Sequence, residues 1–510
     1  PSIITVDEFY TQSGGDDRDN ISGGSDTTNP NGVLFVANSG QKRINNSDTS
    51  FGSAVSAGNK IGLAYDADTG QLFIYINNTI QASGAAINET IKGNFAGKDV
   101  FIMHERYNGG GLDMYNFGQD SSFAGAETAQ GNADGEGFGD FFYSPPSGYL
   151  SLCSANLPDP AIDPAEDETP ADHFNTVLYT GNAGTQSITG VGFSPDWLWV
   201  KNRGTTYSHA LVDSVRGATL SLSSDSTAAE RTSDITSLDA DGFSLQFVTA
   251  TGSYSENQGS QAYVAWNWLA GTAFSNDASA TSVGSIDSEG QVNTKAGFSI
   301  IKFTTDGETS GTVAHGLGVQ PQLIIGKTRN HAVPWYVQTP LLATNLAGIL
   351  NATDAFYNPG YNHWNDTHPT TSVFSVGGYM ADHADLTNPS TKIVYCFANV
   401  EGYSKVGTYI GNGNANGTFV YTGFRPAWIM QKKSNNTGHW HIWDSTRNTS
   451  NEVTRYLSAD DTSAEATDGG LDILSNGFKP RKTGSGLNAS GDTYIYLAFA
   501  SQPFKFSNAF

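Results

Sequence analysis

Three stretches of the chain place large apolar residues at alternate positions behind a proline: PDWLWVKNR from Pro195, PQLIIGKTR from Pro321 and PAWIMQKKS from Pro426. Two and four residues after the proline stand Trp197 and Trp199, Leu323 and Ile325, and Trp428 and Met430. A period of two with aromatic or β-branched residues is a strand signature, so these side chains share one face. Leu198 and Val200, Ile324, and Ile429 make the other face apolar too, as expected of a strand inside a sandwich. Six residues after each proline comes a lysine, Lys201, Lys327 or Lys432. It is expected to carry its charge out of the core at the strand's end.

The register continues. Fourteen residues after the proline stands His209, Trp335 or Trp440; eighteen after, Asp213, Thr339 or Asp444; twenty-one after, Arg216, Leu342 or Arg447. A Gly-Phe pair follows in DADGFSLQF and LSNGFKPR, with SVGGYM as a looser partner. Each stretch closes on an apolar segment, AYVAWNW, KIVYCFA or TYIYLAF. From the proline to Tyr263, Ile393 and Tyr494 the distances are 68, 72 and 68 residues. Agreement in order and spacing predicts a tandem triplicate of one β-domain. The predicted units are 174–272, 296–402 and 403–510, each a β-sandwich with its own core, and polar 273–295 reads as a linker.

Residues 1–157 lack this repeat. GNKIGLAYDADTGQLFIYINNTIQASG alternates on both sides of DADTG and predicts a hairpin, with LDMYNFGQDSSF and FFYSPPSGYLSLC as further strands. Prolines and carboxylates in 158–173 predict a solvated linker. No window carries an uninterrupted helical period, and 58 glycines with 12% aromatics suit short strands and tight turns. The fold class is all-β, in tandem β-sandwich domains.

Charge and candidate chemistry narrow the function. A formal net charge of −24 opposes binding to nucleic acid and to anionic membranes, and no apolar run is long enough for membrane insertion. Cys153 and Cys396 are too few for a disulfide framework and read as buried free thiols. The pairs Asp213/Arg216 and Asp444/Arg447 are either a recurring binding constellation or structural ion pairs, the latter worth about 0–1 kcal/mol if exposed. His439 and His441 share a strand face without further ligands in their unit, and neither DADTG nor DADG continues to the glutamate a calcium loop needs. No nucleophile elbow, phosphate loop or zinc-protease helix is present, so the chain reads as non-enzymatic and without cofactor or metal. One insertion in the second unit, DAFYNPGYNHWNDTHP, packs Phe356, Tyr357, Tyr361, His363 and Trp364 into a turn-rich stretch. Such a loop serves as a sugar-stacking or protein-docking platform, or else folds back onto its own unit.

IGLAYDADTGQLFIYINNT with NFGQ and YSPPSGYLSL resembles the second half of a SPRY domain, a β-sandwich binding module. Joined to NLPDP and to the GFSPDWLWVKNR…DSVRG and GFRPAWIMQKK…WDSTRN units, it resembles virion tail proteins of tailed phages, marine ones in particular. The resemblance implies a virion location and a structural protein of the tail, fibre or capsid-appendage kind. It further implies a homo-oligomer, other virion proteins as partners, and a host-surface glycan as the target of any attachment role. A carbohydrate-binding receptor reader and a glycan depolymerase are the rival readings.

Overall fold

The computed structural model describes residues 32–44, 47–96, 114–247, 254–382, 389–484 and 486–507. The chain forms two compact bodies, divided between Pro158 and Asp159. Antiparallel strands dominate both, and the one α-helix among the described residues is the single turn Ala278–Thr281. The fold is all-β.

In the N-terminal body the predicted hairpin forms from Ile61–Asp66 and Gln71–Ile76, paired Asp66 to Gln71 across the turn. Asp66 Oδ1 accepts the amides of Asp68 and Thr69, so DADTG is an Asx-type turn. Tyr65, Leu72 and Ile74 from this hairpin meet Phe51, Ile87 and Phe95 in a small core. The expected strands at 112–123 and 141–153 do not form among the described residues. The chain there runs in turns, with one isolated bridge between Asn132 and Phe141. Asp134 holds these turns by accepting from Ser151 and Asn156. Cys153 is exposed, against the expected burial, while Cys396 is buried.

In the C-terminal body the three repeats share one strand order. The first places Ala210–Asp213, Trp197–Asn202, Ala262–Trp268 and Phe174–Thr180 side by side. The second repeats this with Tyr336–Gln338, Leu323–Thr328, Ser390–Phe397 and Phe298–Thr305, and the third with His441–Asp444, Phe424–Lys433, Thr493–Pro503 and Ser404–Ile410. Registers agree as well: Trp197 pairs with Trp268, Leu323 with Phe397, and Trp428 with Phe499. Trp197, Leu323 and Trp428 therefore occupy equivalent places. The Gly-Phe alignment needs one correction. Phe374, not SVGGYM, is the counterpart of Phe243 and Phe478, because Gly242, Val373 and Gly477 pair with Thr189, Ala314 and Tyr421, each the last residue of the repeat's second strand in chain order.

In the first and second repeats the two apolar faces of the central strand have different neighbours. Leu198 and Val200 face their own second layer with Ile235, Phe243 and Leu245, as Ile324 does with Phe374 and Val376. Trp197, Trp199, Leu323 and Ile325 instead enter one core common to all three repeats, and in the third repeat both faces do so, Ile429 as well as Trp428 and Met430. Ring contacts join every pair of repeats: Trp197–Tyr395 at 4.5 Å, Trp268–Trp428 at 5.6 Å and Phe397–Phe499 at 6.1 Å. The repeats are thus not sandwiches with separate cores. An apolar strand face predicts burial without saying which chain segment buries it.

Both expected linkers are structured parts of this body. Ile162 is fully buried in the common core, and Pro164–Glu166 and Pro170–Asp172 form short 3-10 turns. Segment 273–295 contributes Thr272–Asn276 and Ser288–Asn293, a hairpin that extends the second repeat's sheet through Phe298–Thr305.

Candidate functional site

The recurring residues meet at three joints between repeats. At each joint, an amide in the segment that follows Ala210–Asp213, Tyr336–Gln338 or His441–Asp444 donates to the carbonyl eight residues after the next repeat's proline. These bonds are Glu230 N to Arg329 O at 2.8 Å, Phe356 N to Ser434 O at 3.0 Å, and Glu465 N to Arg203 O at 2.9 Å. First joins second, second joins third and third joins first, so the contacts close into a cycle. The residue fourteen after each proline repeats the cycle. Trp335 Nε1 donates to Ser223 O, Trp440 Nε1 to Ile349 O, and His209 Nε2 meets Ser458 O. His209 Nδ1 takes the Trp199 indole N–H, so the proton lies on Nε2. Burial first, and then Lys201, hold this imidazole well below its ordinary pKa and therefore neutral.

Two joints carry the Asp/Arg pairs, and they are built alike. Asp213 accepts the Arg216 backbone N–H at 2.8 Å and its Nε at 2.6 Å, while Tyr395 of the second repeat donates its hydroxyl at 2.7 Å. Arg216 reaches Leu211 O and Glu230, and Glu230 in turn takes a two-bond fork from Arg329. At the other joint Asp444 holds Arg447 through the same pair of contacts, with Trp266 Nε1 of the first repeat as the outside donor at 3.0 Å. Arg447 reaches Glu465, which takes the fork from Arg203. Neither the Asp nor the Arg side chain of either pair is exposed, so the value expected for a surface pair does not apply. Burial alone would raise Glu230 and Glu465, but the arginines around each carboxylate bring it below the usual range.

The joint from second to third repeat is apolar instead. Thr339 and Leu342 replace the pair, Phe356 replaces the glutamate, and Ser434 replaces the arginine. The strand position that supplies Tyr395 and Trp266 elsewhere is Leu497 here, since it pairs with Met430 as they pair with Ile325 and Trp199. Where the neighbour offers no donor, the aspartate is absent too.

Lys201, Lys327 and Lys432 do not leave the core; each is fully buried. Lys201 Nζ donates to Asn202 O and to Thr462 O of the third repeat, and Lys432 Nζ donates to Gly438 O and Thr353 O of the second. Lys327 Nζ donates to Thr328 O and His331 O within its own repeat. Burial lowers the three ammonium groups to about 8, about 7 and about 8 respectively. The charge is spent on loop carbonyls that cross a joint or close a turn.

The aromatic loop is not a platform of five rings. Phe356 is buried at the second joint, 6.0 Å from Trp440, and His363 and Trp364 are each 2% exposed. Trp364 belongs to the second repeat's own core, and His363 lies 3.8 Å from the Tyr336 ring. Tyr357 and Tyr361 alone face outward, at 38% and 54% exposure. His439 pairs with Asp460 and His441 with the Ser458 hydroxyl, so the two histidines take separate partners. No group of three or more potential ligands capable of holding a metal occurs among the described residues.

Sequence reasoning missed Arg203, Arg329, Glu230 and Glu465, although the arginines close two of the three repeated stretches. An arginine at the same place in VKNR and GKTR, with serine in QKKS, was the available signal.

The geometry defines an all-β body of three cyclically packed repeats. Residues 169–503, well over half of the chain, match the family described as Domain of unknown function (DUF7483), and the chain belongs to that family. The match takes in all three repeats together. No curated protein and no solved structure matches the chain.

Proposed function

We propose that this chain is a non-enzymatic structural protein of a phage virion, in its tail, fibre or capsid appendage, with a contribution to host-surface attachment. It assembles as a homo-oligomer with other virion proteins as neighbours. The observation that carries this reading is the use made of the recurring polar residues. Asp213, Arg216, Asp444, Arg447 and the three lysines face one another or carbonyls inside the body, which is architecture rather than chemistry. A shallow cleft lined by Val215, Phe274, Glu289 and Lys302 holds one carboxylate, Glu289, engaged by Lys302 at 3.1 Å. Glycan hydrolysis calls for two carboxylates across a cleft. The N-terminal body, with its SPRY-like hairpin, supplies a second binding module under this reading.

Mass spectrometry of purified particles, with immunogold imaging, tests it. The chain is expected among the virion proteins at stoichiometric abundance, with label on the tail or shell appendages. Its absence from washed particles would refute the reading.

A further inference from the structure

The three repeats act as internal controls for one another, because a feature the cycle needs recurs, or is replaced by something that does the same work. In the first and third repeats the chain passes from the joint into a strand, Ile235–Asp239 or Ala466–Leu474, which pairs with the Gly-Phe strand. Among the described residues the second repeat has no such strand. Residues 357–372 take its place, and His363 and Trp364 fill the space beneath. The fold's needs are met by those two buried side chains and by Phe356. Tyr357 and Tyr361 are the two rings of this loop that stay exposed.

The geometry points to a binding site for a neutral, hydroxyl-rich glycan on Tyr357 and Tyr361. This inference rests on the attachment part of the proposed function, not on the virion location. The loop is fixed at both ends. Tyr357 exchanges two backbone bonds with Ala347, and Gly377 N donates to His363 O at 2.9 Å. Gly378 lets Tyr361 lie close: its φ is +47°, and a Cβ there would stand 2.2 Å from Tyr361 O. The Tyr361 ring is then propped at 72° against Tyr379, with centroids 5.8 Å apart. Rings held this way lose little freedom on binding.

The groups around them suit a sugar. Asn358, Asn362 and Asn365 and the carboxylates of Asp354 and Asp366, on the same stretch of chain as the two tyrosines, are exposed too. Aromatic faces stack on the C–H faces of a pyranose, while amides and carboxylates take its hydroxyl groups. The two aspartates and the net charge of −24 oppose sialylated or sulfated chains.

The test uses the full chain on an array of neutral hexose- and N-acetylhexosamine-terminated oligosaccharides beside sialylated and sulfated ones, with affinities from calorimetry. Retention on neutral glycans is expected, with binding weakened about tenfold or more by Tyr357→Ala and by Tyr361→Ala, about 1.4 kcal/mol each. Tyr361→Phe, which keeps the ring, is expected to stay within about threefold. Unchanged melting of the variants shows that the loss is local. No retention, retention on anionic glycans or a polypeptide only, or equal binding by both alanine variants would overturn the inference. Glycan binding by a chain that is absent from particles would uphold this site while removing the virion reading. A particle-borne chain that retains no glycan would do the reverse.

Discussion

Arg216 and Arg447 carry charge into places without water, so what they contribute depends on what remains when a partner is removed. A buried ion pair gains little over a well-packed apolar pair, whereas a buried charge left alone is costly. Arg447→Leu is therefore expected to destabilise the C-terminal body by about 3–5 kcal/mol, since Asp444 would keep only the Trp266 indole and backbone amides. Adding Asp444→Thr copies Thr339 and Leu342 of the second repeat, and the double variant is expected to cost less than the single one. Urea unfolding measures both, and a double variant less stable than Arg447→Leu would contradict this account. The lysines give a pH dependence. Their folded pKa values, about 7 to about 8, lie below the unfolded value of 10.5. Through this range the unfolded chain binds more protons than the folded one, so stability increases with pH. A gain of about 1 kcal/mol or more is expected between pH 7 and pH 9. A urea midpoint that stays flat or falls across that interval would show the ammonium groups to be better solvated than their burial indicates.

At the scale of elements, the central strands of the first and second repeats each belong to two cores, their own repeat's and the common one, while that of the third lies in the common core on both faces. Trp197 contacts Trp268 of its own repeat and Phe298, Tyr395 and Phe397 of the next. Trp197→Ala is expected to cost about 3–5 kcal/mol through the cavity it leaves. Because that cavity opens into the common core, the whole C-terminal body should melt earlier in one cooperative transition. Calorimetry that resolves one shifted and two unshifted transitions would restore separately stable repeats. Much of this architecture was legible: the alternation marked the strands, and identical offsets from Pro195, Pro321 and Pro426 marked their equivalence. The sharing of cores was not, because a period of two reports that a face is buried and is silent on its neighbour. The lysines misled for a related reason. A lysine at a strand's end looks the same whether it reaches water or the carbonyls of Thr462 and Thr353, which lie far off in sequence. Of the aromatic loop, composition gave the rings but not their directions. Those follow from the missing strand that His363 and Trp364 replace.

At the scale of the whole molecule, the boundary between bodies decides where the cycle of repeats begins as a folding unit. Charge and proline content place the boundary across 158–173, yet the packing places it at Pro158. Ile162 is completely buried in the common core. Asp172 and Thr169 cap each other's turn, and His173 meets Glu168 at 2.7 Å while Asn293 donates to its Nδ1. At the near end Asp159 pairs with Lys505 at 2.6 Å. Burying one isoleucine contributes about 1.5–3 kcal/mol, and its removal from a filled core adds a cavity cost. A chain beginning at Asp159 is expected to melt with the C-terminal transition of the full chain. One beginning at Phe174, where the first sheet starts, should melt at least about 5 °C lower and expose more apolar surface to a dye such as ANS. Equal melting of the two would mean that 159–173 contributes nothing to the body, as a solvated linker would, and that Ile162 is dispensable to the core it enters.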